Sequence, residues 1–346
     1  MSATFRPTTE EDLDGILRLF TAAFHPPRGA PILDRSLLRW KYHIPFPGWA
    51  GSRSFVLEKN GELAAHAGVW PFELLGEGAP IRGVHVIDWA ADATVPLAGI
   101  SLMRRLVASC GFACSFGGSE LTRGILPKIG FRPANEMRTY ARPLRPFAQA
   151  RTHQYMNYKL PARLARNLFW RTIPLLAQPA SWEATRIAAD ELDERMLPVA
   201  RADRMLCRRT RPFFEYLSTC PAVPFTWYAV TRMGRMRGYF CVTLAHRQAR
   251  IADLWMTNPS IEDYRAAHTL ASLVVLRDTD AVEIVATSCD QVSAEALSES
   301  GYRLLSSTPI MVSGQASQGL DSTTFDFQMV DSDFAFLHDG RVNYST

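Results

Sequence analysis

The chain contains no apolar run near the roughly 20 residues that a membrane-spanning helix needs. Its opening, Met1-Ser-Ala-Thr-Phe-Arg-Pro, lacks the basic-then-apolar order of a signal peptide, so a cytoplasmic location is expected. Cysteine is sparse. Cys110, Cys114, Cys207, Cys220, Cys241 and Cys289 include no C-x-x-C pair, and Cys110/Cys114 has no second pair to complete a zinc site. Reduced, mostly buried thiols and no bound metal are the expectation. A net charge of +4 is too small to imply a nucleic-acid partner, and none is expected. Acid is missing locally: between Glu136 and Glu183 there is none, while Arg138, Arg142, Arg145, Arg151, Lys159, Arg163, Arg166 and Arg171 all fall inside.

What the chain does have is length and a repeat. At 346 residues it exceeds the usual size of one hydrophobic core, so two domains are expected. Phe55–Lys59, Asn60-Gly61 and the run from Glu62 read as a hairpin, and Trp227–Arg232, Met233-Gly234 and the run from Arg235 repeat its form. A strand ending in an acid follows each, Val84–Asp88 and Ala249–Asp253, and each leads into a helix. Ser119-x-x-Thr122-x-x-x-Leu126-x-x-x-Gly130-Phe131-Arg132 shares its spacing with Asp290-x-x-Ser293-x-x-x-Leu297-x-x-x-Gly301-Tyr302-Arg303. Leu38-Arg-Trp40 before Pro45 matches Phe214-Glu-Tyr216 before Pro221. Four matches in one order, displaced by 165 to 176 positions, indicate a tandem duplication.

Within each copy the order is helices, hairpin, strand, helix, strand, helix, strand. That alternation predicts an α/β fold, with a mixed central sheet flanked by helices in each domain. The first copy covers 1–150 and the second 181–315. A basic, proline-interrupted connector spans 151–180. A tail, 316–346, is expected to return as a strand through its apolar part, 325–337.

These motifs resemble the GNAT superfamily of acyl-CoA-dependent N-acyltransferases in tandem form. Phe5-Arg6-Pro7 followed by Glu10-Glu11-Asp12 is similar to that fold's opening strand and helix, and Gly130-Phe131 to the start of its late strand. Pro96-Leu97-Ala98-Gly99-Ile100-Ser101 resembles its phosphate loop, keeping the central glycine but lacking the leading Arg or Gln. The resemblance implies that acetyl-CoA binds through the amides of Ala98, Gly99, Ile100, Ser101 and Leu102, where unpaired N–H groups and the helix dipole favour an anion. The second copy's loop, Thr257-Asn-Pro-Ser-Ile-Glu-Asp, has no glycine and carries two acids, so the first copy is the better cofactor site. Leu126 and Leu297 stand where the family often places a tyrosine that protonates the leaving thiolate.

Acyl transfer to an amine needs a proton acceptor and a polarised carbonyl. Asp88 is the first candidate base, with His66 second. Asp88 can equally cap a turn or pair with a base, and the equivalent Asp253 favours a shared structural role. His85 lies three positions from Asp88, so on a regular strand the two face opposite ways. Ser119 is a substrate-loop candidate whose plainer role, like that of Glu120, is helix capping. Trp40, Trp70 and Trp89 read as core or as the lining of an acceptor groove.

The function expected from the resemblance is transfer from acyl-CoA, acetyl-CoA first, to an amino or hydroxyl group such as that of a saccharide. Its rivals are a FemAB-like aminoacyl transferase, fed by charged tRNA, and a GNAT-like binding protein without catalysis. The connector, with Leu164, Leu168 and Phe169 at helical spacing between arginines, predicts either peripheral membrane contact or a docked interdomain helix.

Overall fold

The computed structural model describes residues 3–151, 158–172, 180–317, 320, 324–338 and 344–346. The first repeat contributes β1 (Thr4–Pro7), α1 (Leu13–Phe24), α2 (Arg35–Tyr42), β2 (Ser54–Lys59), β3 (Glu62–Leu75), β4 (Ile81–Ala91), α3 (Ala98–Ser109), β5 (Ala113–Ser115), α4 (Glu120–Ile125) and β6 (Arg132–Pro143). Two connector helices follow, α5 (Pro146–Ala150) and α6 (Leu160–Thr172). The second repeat contributes β7 (Trp182–Ile187), β8 (Arg204–Cys207), α7 (Arg211–Ser218), β9 (Phe225–Arg232), β10 (Arg235–Ala245), β11 (Gln248–Met256), α8 (Ile261–Asp278), β12 (Glu283–Ser288), α9 (Gln291–Glu299) and β13 (Arg303–Ser313). The tail adds β14 (Thr324–Asp326) and two 3-10 turns, Met329–Asp331 and Asp333–Ala335.

The duplication shows in local geometry. Both hairpins turn through two left-handed residues, Asn60 (φ 55°) with Gly61 and Met233 (φ 50°) with Gly234, the twist that best matches paired strands. Each copy has one internal parallel pair among the described residues, β4 with β5 and β11 with β12, and the tail's β14 adds another with β8. Left-handed Gly130 and Gly301 end the helical segments before β6 and β13, and their aromatic followers, Phe131 and Tyr302, are buried.

The last strands change places. Among the described residues the sheet has fourteen strands and runs β1-β2-β3-β4-β5-β13-β6-β12-β11-β10-β9-β7, with β8 joining β3 to β14. The second copy's β13 thus covers the first copy's β5, and the first copy's β6 covers β12. In the middle β13 and β6 pair with each other from Arg303↔Ala141 to Val312↔Arg132. Each copy's last strand thus covers the edge that the other copy would leave open.

Trp40 and Tyr216, equivalent residues of the two copies, stack at 4.6 Å in the central core, with Phe336 of the tail edge-on to Trp40. Trp40 and Trp70 are therefore core. The connector helix α6 exposes Phe169 and buries Asn167, whose amide donates to Gln149 of α5 at 3.0 Å. No helix among the described residues is long and apolar enough to cross a membrane.

Candidate functional site

β4 and β5 pair only at Val84↔Ala113 and His85↔Cys114, then part. A cleft of about 1410 Å³ fills the opening, bounded by β4, the start of α3, the end of α1, the segment after β5, and Asp333-Phe334 of the tail. Ligands of α/β sheets favour the carboxyl ends of diverging parallel strands.

A bulge shapes the floor. His66 pairs with Ala90 and Gly68 with Ile87, so Asp88 and Trp89 together oppose one residue of β3. Asp88 is left-handed there, at φ 50°. His66 fixes this kink: its Nδ1 meets the Asp88 carbonyl at 3.0 Å, and its Nε2 meets the Ser54 hydroxyl at 2.9 Å. Burial lowers its pKa to about 3, so the ring is neutral, with the Nδ1 proton on the carbonyl. The bulge also undoes the regular alternation assumed from sequence. His85 and Asp88 both line the cleft, although no hydrogen bond joins them.

The Asp88 carboxylate meets residues that sequence reasoning missed. Lys41 Nζ pairs with Asp88 Oδ2 and, at 3.0 Å, with Asp333 Oδ2. Tyr42 donates to the same Asp88 oxygen at 2.5 Å. All three charges are buried, with side-chain exposures of 0% for Lys41, 3% for Asp88 and 8% for Asp333. Burial pushes the Asp88 pKa up, Lys41 opposes that shift, and the nearby Asp333 charge adds to it. Asp333 goes down despite its burial, because Lys41 holds it ionised. No hydrogen bond among the described residues engages Asp88 Oδ1.

The second copy builds the same device and closes it. Arg209 Nε and Nη2 donate to both oxygens of Asp253 at 3.0 Å, and Tyr239 adds a third bond at 2.9 Å. Arg209 also grips Asp331 through two bonds of 2.7 and 2.9 Å. One tail segment, 331–333, thus supplies the second carboxylate to both clamps. Burial raises Asp253 as well, so geometry, not acidity, separates the two acids.

Ala98 to Leu102 are the first residues of α3, not a loop before it. Leu97 precedes it as an uncapped, left-handed residue (φ 63°) that is 71% exposed. Ala98 N–H bonds Val95 and Ser101 N–H bonds Leu97, while the N–H groups of Gly99 and Ile100 find no acceptor among the described residues. Leu102 is buried core. Gly99 has a packing reason of its own. A Cβ there would lie 3.1 Å from Ala91 Cβ and 3.2 Å from Trp89 Nε1, which itself donates to the Gly99 carbonyl at 3.1 Å. The equivalent α8 has its own cap, since Ser260 accepts from Asp263 N–H, and Asp263 is buried against Arg237 at 3.1 Å.

Ser119 lies on the cleft rim and caps α4, accepting from Thr122 N–H at 3.1 Å. Leu126 is core. Among the described residues no group of three or more His, Cys, Asp or Glu could hold a metal ion.

No protein-family model matches the chain, and no curated protein sequence does. Solved structures do. A tandem GNAT protein from the clavulanic acid biosynthesis pathway, at 12% identity, aligns with a TM-score of 0.59 over 91% of this chain and 99% of that one. The chain has the tandem GNAT fold. A GCN5-related N-acetyltransferase from Anabaena variabilis shares the fold at 11% identity and TM-score 0.58, over 90% of this chain and 72% of that one. Saccharomyces cerevisiae N-myristoyltransferase with bound myristoyl-CoA does so at 14% and 0.58, over 90% and 80%. This agrees with the tandem duplication read from the repeat and with the GNAT resemblance of its motifs.

Proposed function

We propose that the protein is an acyl-CoA-dependent acyltransferase whose working site is the cleft of the first repeat. The donor diphosphate lies against the free N–H groups of Gly99 and Ile100, and Asp88 Oδ1 takes the proton from the acceptor's amino or hydroxyl group. One observation carries this reading: the uncapped start of α3 and Asp88 line the same cleft, and one oxygen of Asp88 has no hydrogen bond among the described residues. The second copy caps the matching helix with Ser260 and closes the matching acid with Arg209.

Chemically, an acid raised by burial is the stronger base, and its partners Lys41 and Tyr42 hold the other oxygen, fixing the lone pair's direction. N–H groups and the helix dipole supply the anion site without a lysine or arginine. Leu126 cannot protonate the leaving thiolate, so that proton comes from water or from the acceptor itself. Acetyl-CoA remains the first donor to test, and a saccharide amine or hydroxyl one acceptor class among several.

Leu97→Asp tests the donor site. Aspartate is a good N-cap and tolerates the left-handed backbone better than leucine, so the unliganded protein should melt no lower. Its charge would face the diphosphate, and CoA binding should weaken at least tenfold in a thermal-shift titration. Unchanged CoA binding by Leu97→Asp would remove α3 from the site.

A further inference from the structure

If the diphosphate lies at the start of α3, the donor's pantetheine arm runs back along β4, past Asp88, toward the point where β4 and β5 rejoin. The acyl group then ends beside His85 and Phe116. That end is solid. His85 stacks on Phe116 at 3.9 Å, and Phe116 packs on Phe327 at 5.5 Å and on Phe334 at 5.8 Å. Behind them Phe327 continues into Phe72 at 5.4 Å, so a run of aromatic rings closes on one another there. Phe334 lines the cleft beside them and remains 38% exposed.

Phe334 is fixed where it is. Its ring lies over left-handed Gly117, where a Cβ would come within 2.7 Å of the ring. Its carbonyl accepts from Arg250 at 2.6 Å, its N–H donates to Ser332 Oγ at 3.3 Å, and its neighbour Asp333 is held by Lys41. These bonds hold the backbone that carries the ring at this place in the cleft.

We infer that Phe334, a residue of the tail and of neither repeat, is the end wall of the acyl pocket and restricts the donor to short acyl groups. The inference rests on the donor reading above.

The test is a thermal-shift titration of the full chain and its Phe334→Ala and Phe334→Leu variants with CoA, acetyl-CoA and hexanoyl-CoA. Each methylene that gains a buried site is worth about fourfold in affinity. The full chain should prefer acetyl-CoA over hexanoyl-CoA. In Phe334→Ala the hexanoyl-to-acetyl preference should shift at least tenfold toward hexanoyl, with Phe334→Leu between the two. Phe334→Leu keeps an apolar contact on Gly117 and serves if the alanine variant melts too low to titrate. A preference unmoved by either substitution, with CoA still binding, overturns the wall. Failure of the unaltered chain to bind CoA at all overturns the donor reading and the wall with it.

Discussion

A carboxylate that accepts from one guanidinium on both oxygens, and from a phenol besides, has little left to offer a substrate, and Asp253 is in that position. Asp88 holds the matching position in its repeat, on a left-handed bulge, whereas Asp253 pairs with Cys241, and its lysine and tyrosine share a single oxygen. The two acids should therefore fail differently when neutralised. Asp253→Asn presents an amide to a buried guanidinium, and breaking such a pair costs ~3–5 kcal/mol. Asp88→Asn keeps an acceptor for Tyr42, suits the left-handed backbone, and leaves Lys41 balanced by Asp333, so its stability loss should be at most half as large. Acyl transfer from acetyl-CoA to a panel of amines should instead fall about 10²–10⁴-fold. Equal losses of stability in the two variants, with transfer unchanged in Asp88→Asn, would leave both acids as one structural clamp. The acids themselves were legible in the sequence, because each holds the same place in a repeated motif, although β4 and β11 run on past them to Ala91 and Met256. Their partners were not. Lys41 hides inside an amphipathic helix, and Asp333 lies 292 positions further on, so no local pattern joins them.

At the scale of elements, the sequence showed each hairpin, the glycine that ends each late helical segment, and the helix after each acid-bearing strand. It did not show which sheet receives β6 and β13. Both follow a left-handed glycine with a buried aromatic, and either free edge could pair with either strand, so the choice rests on tertiary packing. Gly99 is a similar case: a phosphate loop needs a glycine for close approach, and here the packing of α3 on Trp89 and Ala91 requires one as well. The tail's β14 brings a testable charge. Asp326 is buried near Arg204, at 3.6 Å, and burial with the adjacent Asp290 lifts its pKa to about 6. A folded-state pKa above the ordinary 3.8 means that the folded chain holds an extra proton between about pH 4 and pH 6. The stability this group contributes is fully present below pH 4 and is lost as pH rises through 6. Asp326→Asn should remove that slope, so the variant gains on the unaltered protein between pH 4.5 and pH 7 in urea unfolding. A difference independent of pH would show that Asp326 titrates normally.

On the scale of the whole molecule, duplication has not produced two independent bodies. Each half of the sheet is completed by a strand of the other, and β6 and β13 are hydrogen-bonded to each other along most of their length. The central core draws Trp40 and Trp70 from one repeat, Phe214, Tyr216 and Tyr239 from the other, and Val330 and Phe336 from the tail. The tail further ties the halves through Asp331 on Arg209 and Asp333 on Lys41, two buried ion pairs only two residues apart. Unfolding either half alone would bare a sheet edge, open the aromatic core and strand a buried charge, each costing several kcal/mol. Heat should accordingly unfold the chain in one calorimetric transition, with calorimetric and van't Hoff enthalpies in a ratio near one despite a length that usually brings separate domains. Asp333→Asn and Asp331→Asn should lower that transition without splitting it, because the strand exchange persists in both. Two resolved transitions in the unaltered protein would mean that the repeats unfold independently and that the exchanged strands contribute little to their coupling.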